Sequence, residues 1–335
     1  MDTVLAFDMG ATKTIAAMLG YDCKPLAGPI VWATPHNPQE GLERFRAALN
    51  DFFRRGYSIG FIVGGAPAIA EDGCFLENPS NLPEWSRLHL KRKLESIVGE
   101  TARRVAGSRY PYNITVRSDA ELGIVGASLA KAATAEDADK WFPLSYDAEG
   151  SGFGVGLSVR KGNEFEVYRN ANGKGLEAGH NISFFGRAPN QSGINCGHCS
   201  INNCYETWLG GKFMESRYGL RPEEATEEIQ DMVAYNFSKI LAALELPYRP
   251  VAHILNGGVA RNWGERFLGN IRKYSITHFG EQGRELPNLE LSLLGIYTEL
   301  VGAWGIAMRH YQGAWPRLDS ERTRQLIRTP CIRTD

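Results

Sequence analysis

The stretch "TVLAFDMGATKTIAAML" (residues 3–19) decides the fold. The apolar run Val4–Phe7 stops at "DMGATK" and an apolar run resumes at once in "TIAAML". That pattern is strand, tight turn, strand. The turn carries Gly10, Thr12 and Lys13, with Asp8 at its entrance, so it offers backbone N–H groups, a hydroxyl and an ammonium to an anion. A solvated lysine in an ordinary hairpin would read the same way, and the weight of the turn depends on the rest of the chain.

Outward from it, the sequence alternates between helix and strand. "LERFRAALNDFFRRG" (42–56) has helical spacing and gives way to the strand-like "IGFIVGG". "APAIAEDG" and "LENPSNLPEW" are rich in turn formers. A second helix, "SRLHLKRKLESIVG", precedes the strand "NITVRSD", which runs straight into the helical "AELGIVGASLAKAA". At that junction "SDAE" fits a capping box, with Ser118 as N-cap, Glu121 reaching back and Asp119 at the first helical position. An acidic residue there often only complements the helix dipole, so catalysis by Asp119 does not follow from its position alone. Residues 141–167 read as strand, Gly-rich turn ("GSGFGVG"), strand; Gly150, Ser151 and Gly152 make a second candidate phosphate cradle. Helical stretches over about 204–217 and 222–243 follow. "VAHILNGGVARN" then sets Gly257 and Gly258 after a strand, and "LSLLGIYTELVGAWGIAMRHY" reads as an apolar helix. Residues 313–335, spotted with arginine, read as a surface tail.

Bulk properties limit the classes of function. A chain of 335 residues has room for about two domains. Its 43% hydrophobic and 22% charged residues are ordinary for a globular protein, and a net charge of −1 gives no footprint for nucleic acid or a membrane surface. The opening "MDTVLAFDMG" resembles neither a signal peptide nor a membrane span, so the expectation is a cytoplasmic protein. In that reducing compartment six cysteines seldom form a disulfide framework. Cys23, Cys74 and Cys331 are scattered, whereas "GHNISFFGRAPNQSGINCGHCSINNCYE" (179–206) gathers Cys196, Cys199 and Cys204 downstream of His180. One His and three Cys are a set that tetrahedral zinc accepts. A redox C-x-x-C with a chance third cysteine is the alternative. His198, between two of the cysteines, could replace one ligand, which leaves His180 the less certain member on spacing alone.

Three Gly-rich turns after strands, with an Asp at a strand–helix junction between the first two, point to two similar α/β lobes closing on a nucleotide. In this arrangement the chain resembles the ROK family of bacterial sugar kinases and sugar-responsive repressors. "DMGATK" is similar to the family's D-x-G-x-T-K phosphate loop. "GAPAIAEDG" and "NPSNLPEW" resemble its G-x-P-G and N-L-P-x-W segments, and "RSDAELGIVGA" its catalytic-Asp stretch. "GSGFGVG" resembles G-T-G-I-G-x-G, "EAGH" E-x-G-H, "CSINNCYE" C-G-x-x-G-C-x-E, and "NGGVARN" the adenosine loop. The motifs keep the family's order over roughly residues 3–310.

The resemblance implies a two-lobed ribonuclease-H-like α/β fold of the actin/hexokinase ATPase type, with a nucleotide and sugar cleft. The first lobe would be residues 1–119 and the second 120–295, with a helix over 296–312 returning to the first. It implies an ATP-dependent kinase acting on a hexose or N-acetylhexosamine at the 6-hydroxyl, with Asp119 as the base. Asp8, Gly10, Thr12 and Lys13 would handle phosphate and Mg²⁺, joined by the second loop and by Gly257 and Gly258. Asn81, Ser118, Glu177, His180 and Glu206 would read the sugar, and His180, Cys196, Cys199 and Cys204 would hold a structural zinc. The partners expected are sugar and ATP, with no nucleic acid and no membrane, and there is room for a homodimer. The family's Asn before the catalytic Asp is Ser118 here, its P-G is Pro67-Ala68, and its C-x-C is one residue longer. Asp147 and Glu149 place negative charge just before the second loop, where it would repel phosphate unless a cation intervenes. The rival reading is a kinase-inactive sugar sensor acting through a protein partner. The repressors carry a helix-turn-helix ahead of the phosphate loop, and here that loop begins at Asp8.

Overall fold

The computed structural model describes residues 2–69, 75–79, 81–106, 113–134, 138–170, 173–181, 194–199, 202–280, 286 and 288–334. In chain order its elements are β1 (Asp2–Met9), β2 (Lys13–Gly20), β3 (Pro25–Ala33), α1 (Pro38–Arg54), β4 (Ser58–Ala66), α2 (Leu90–Ala106), β5 (Asn113–Ser118) and α3 (Asp119–Thr134). Then come β6 (Leu144–Glu149), β7 (Phe153–Lys161), β8 (Glu164–Val167), α4 (Glu206–Leu209), α5 (Gly211–Tyr218), α6 (Glu227–Tyr248), β9 (Ala252–Asn256) and α7 (Gly258–Gly280), the last kinked at Gly264. β10 (Asn288–Leu291), α8 (Thr298–Gln312), α9 (Ser320–Arg328) and β11 (Ile332–Arg333) complete it.

Two compact units result, one of residues 1–136 with 296–335 and the other of residues 137–295. In the first, six strands lie in the order β11-β3-β2-β1-β4-β5, with β1 and β2 antiparallel and β1, β4 and β5 parallel. Parallel neighbours need crossover helices. α1 and α2 are those crossovers, and their apolar stripes (Leu42, Phe45, Leu49, Phe52; Leu90, Leu94, Ile97, Val98) close one core. α3 is apolar nearly all round, buried from Leu122 through Lys131, and packs with α8. That packing puts α3 in the first unit, so the division expected after Asp119 falls at 136 instead. A helix buried on every face goes with whichever core encloses it.

The second unit is a five-stranded sheet, β10-β9-β6-β7-β8, with β6 and β7 an antiparallel hairpin and β6, β9 and β10 parallel. α6 and α7 cover it, with Phe237, Ile240, Leu241, Phe267 and Ile271 in the core.

The expectation of a surface tail over 313–335 is corrected. Asp319 caps α9 by accepting from Arg322 N–H at 2.7 Å, and Thr323 and Leu326 are buried. β11 then pairs with β3 in parallel, and Thr334 N–H donates to Val31 O at 3.0 Å. A helix with only two buried residues leaves little apolar signal among its arginines.

Candidate functional site

In the first unit the candidate residues lie at the carboxyl ends of adjacent parallel strands, where open α/β sheets place their ligands. The Gly10–Thr12 turn joins β1 to β2, with Asp8 opposite Ile15 and Gly10 N–H donating to Lys13 O at 3.0 Å. Thr34, the residue after β3, fastens this turn. Its hydroxyl donates to Gly10 O at 2.7 Å, its N–H to Thr12 O at 3.1 Å, and its Oγ1 stands 2.8 Å from Thr14 Oγ1. Nothing in the sequence marks Thr34 for this role, because the contact spans a whole hairpin.

Gly65 on β4 faces Asp8 on β1 in register, and its neighbour Ala66 faces Ser118 on β5. A Cβ on Gly65 would stand 3.0 Å from Asp8 Oδ1 and 3.4 Å from Asp119 Cα. The missing side chain lets the two carboxylate residues sit on either side of one strand. Asp119 is half-buried and opens α3, its Oδ1 accepting from Ala120 N–H at 2.8 Å. Desolvation raises its carboxyl above the ordinary aspartate value, against the lowering pull of backbone N–H groups. A carboxylate raised in this way is suited to accept a proton.

Ser118 caps α3 as expected, its Oγ accepting from Glu121 N–H at 3.1 Å, which occupies an oxygen assigned to sugar. Glu121 turns its carboxylate toward Arg117 Nε, 3.6 Å away. Asn81 lies just before a short 3₁₀ turn (Pro83–Trp85), and its Oδ1 is buried without a hydrogen-bond partner among the described residues. A buried acceptor in that state fits a donor from a ligand.

In the second unit the Gly150–Gly152 turn joins β6 to β7 and is pinned by the start of α5. Gly211 N–H donates to Gly150 O at 2.8 Å and Lys212 N–H to Ser151 O at 3.1 Å. Gly257, at φ +101°, passes so close that a Cβ would stand 2.0 Å from Glu149 O, and Gly258 opens α7. The two glycine sites predicted apart in sequence thus meet at the end of β6.

The two carboxyls ahead of this loop are withdrawn from solvent. Asp147 and Glu149 are fully buried. Asp147 faces His253 Nδ1 at 2.9 Å and accepts from Ser145 Oγ at 3.1 Å. Glu149 has no hydrogen-bond partner for either oxygen among the described residues, and burial, then the nearby Asp147, push its carboxyl well above the usual range. Burial thus favours the protonated, uncharged form of Glu149.

The Cys/His stretch closes into a cluster. His180 ends a 3₁₀ turn (Ala178–His180), Cys196 and Cys199 flank a turn through Gly197, and Cys204 precedes α4. Tyr205 N–H donates to Asn181 O at 3.1 Å, joining the two segments. The ligand atoms of His180, Cys196, Cys199 and Cys204 all lie within 4.8 Å of one another. Cys196 and Cys199 sulfurs are 3.0 Å apart, too far for a disulfide bond. Cys199 N–H donates to Cys196 Sγ at 3.2 Å. Burial raises the Cys204 thiol, and the Cys196, Cys199 and Glu206 neighbours raise it further, so thiolates here call for a cation. Burial and His198 lower His180 to about 4, which keeps the imidazole neutral, the form a metal takes. The donor set and its spread fit one tetrahedral zinc. His198 does not belong to this four-residue group; its ring stacks on His180 at 4.6 Å.

His180 presents Nδ1 to Cys196 Sγ at 3.8 Å and Nε2 to Glu206 at 3.3 Å and Glu177 at 3.6 Å. Glu206 is buried at the start of α4, and Glu177 is exposed and left-handed, at φ +50°. One imidazole thus links the cysteine cluster to both carboxylates assigned to sugar.

As a sequence, the chain matches no protein-family model and no curated protein. As a fold it has many solved counterparts. A ROK family glucokinase from Streptomyces griseus, in complex with glucose and AMPPNP, is 21% identical with a TM-score of 0.70, over 91% of this chain and 98% of that one. A ROK hexokinase from Thermus thermophilus is 24% identical with a TM-score of 0.62, over 90% and 96%. A ROK family transcriptional regulator, described as a homologue of the E. coli MLC protein, is 14% identical with a TM-score of 0.61, over 97% and 80%. The fold is the α/β ATPase fold of the actin/hexokinase type. Within that class, it is the fold shared by these ROK sugar kinases and the ROK regulator.

Proposed function

We propose that this chain transfers the terminal phosphoryl group of ATP to a hexose or N-acetylhexosamine, at the 6-hydroxyl, with Asp119 as general base. The observation that carries the reading is the placement of Asp119, which opens α3 directly after β5, one strand away from Asp8 across Gly65. Asp119 would take the proton of the attacking hydroxyl. Asp8, Gly10, Thr12, Lys13 and the Gly150–Gly152 turn would bind phosphate and its Mg²⁺, and Gly257 and Gly258 the adenosine side. Phosphoryl transfer asks the protein mainly for positioning and charge stabilisation, so these few groups suffice.

Asn81, Ser118, Glu177, His180 and Glu206 are the groups proposed to read sugar hydroxyls. Zinc bound by His180, Cys196, Cys199 and Cys204 would supply structure, with no open position for water. With Nδ1 facing the sulfurs, His180 would give that nitrogen to the metal and keep its proton on Nε2 as a fixed donor. A kinase-inactive sensor would keep the sugar groups without needing Asp119. The experiment is a panel of hexoses and N-acetylhexosamines with ATP and Mg²⁺, read by coupled ADP release. Sugar-dependent release supports the kinase, and sugar binding with no release supports the sensor.

A further inference from the structure

Between Cys196 and Cys199 stand Gly197, at φ +77°, and His198. The His198 ring lies on that of His180, with planes 27° apart. Glu177, His180 and His198 each offer a ligand atom, all within 4.8 Å of one another. We propose that Glu177, His180 and His198 form a second site for a divalent transition-metal ion, sharing His180 with the cysteine cluster.

Two imidazoles and a carboxylate are a donor set for zinc, cobalt or nickel rather than magnesium or calcium. The two nitrogens of His180 face opposite ways, Nδ1 toward Cys196 and Nε2 toward Glu177, so each can serve a different ion. The Nε2 proton leaves to solvent as the second ion binds. Bonds of about 2.1 Å set the ligand atoms of one ion roughly 3–3.5 Å apart, and His180 Nε2 already lies 3.6 Å from Glu177. Glu177 is 48% exposed, and Glu206 Oε2, 3.3 Å from Nε2, lies within reach as a fourth donor. The cysteine cluster keeps three sulfurs of its own, so the second site is the weaker one. Its consequence rests on the proposed function: an ion here would occupy the carboxylate and the imidazole assigned to sugar hydroxyls, and would compete with the sugar.

The test titrates Zn²⁺ into the full chain already carrying one equivalent of zinc, by calorimetry and without ATP. One further equivalent should bind. His198→Phe keeps a ring to stack but has no ligand atom, and His198→Ala removes both; each should weaken the second equivalent about tenfold or more while elemental analysis still finds the first. No second equivalent, or an unchanged affinity in both variants, overturns the proposal. A parallel sugar titration separates the two readings. If zinc binds with the expected His198 dependence yet leaves sugar affinity unchanged, the metal site stands and the sugar roles of Glu177 and His180 fall.

Discussion

Replacing Glu149 by glutamine tests whether a carboxyl beside the second glycine turn is neutral. The side chain is fully buried, neither oxygen has a partner among the described residues, and burial and then Asp147 raise its pKa. An unfolded glutamate titrates near pH ~4.3. Between that value and the raised folded one, the folded chain holds a proton that the unfolded chain has lost. Stability contributed by this group therefore falls as pH rises through that window, by about 1.36 kcal/mol per pH unit, and levels off above the folded pKa. Glutamine has the same shape and no proton to lose. Urea unfolding of both proteins from pH 4 to 8 isolates the effect, because every other titrating group cancels in the difference. The difference should be small at the acid end and should shift toward Glu149→Gln with the slope above. Glu149→Met, which removes the orphaned polar atoms altogether, should gain about 1–3 kcal/mol at neutral pH. A flat difference, or a glutamine variant much less stable than wild type at neutral pH, would show that the carboxylate is ionised and paired.

Ala68 holds a left-handed backbone at φ +52°, where the resembling pattern has glycine, so Ala68→Gly should stabilise by about 1 kcal/mol in thermal or urea unfolding. Gly65→Ala would press a methyl to 3.0 Å from Asp8 Oδ1 and should lower turnover far more than it lowers the melting temperature. Equal damage to both would reduce Gly65 to a packing residue. Cys204→Ser should lose the zinc found by elemental analysis, reduce stability, and weaken sugar binding more than ATP binding. Zinc that is absent from the wild type, or whose removal leaves sugar binding untouched, would defeat the proposed link between the cysteine cluster and the sugar groups.

Short-range features were readable from the sequence. The β1–β2 turn, the Ser118 cap and the Gly150–Gly152 hairpin each depend on residues within a few positions of one another. Zinc chemistry narrowed the cysteine cluster, and the structure separated His180 from His198 by placing only the former among the sulfurs. What stayed hidden depends on strand order. Gly65 matters because β4 lies between β1 and β5, a fact carried by two crossovers. "LSYDAE" alternates apolar and polar residues as a half-exposed strand would, yet Ser145, Asp147 and Glu149 are all buried because the sheet is covered on that face as well. β3 escaped reading because Pro25, Gly28 and Pro29 break its apolar run.

Asp119 as the base of an ATP-dependent sugar kinase is the central claim, and one comparison reaches it. ADP release is measured on the best sugar of the panel, for wild type and Asp119→Asn, with sugar binding measured alongside. Asparagine keeps the shape and cannot accept the proton, so kcat should fall roughly 10²-fold or more while sugar affinity changes little. Because burial raises the Asp119 carboxyl, wild-type kcat/KM should fall off with acid at a pH above that of an ordinary aspartate, about 3.9. Near-wild-type turnover in Asp119→Asn, with or without that acid limb, would contradict the account.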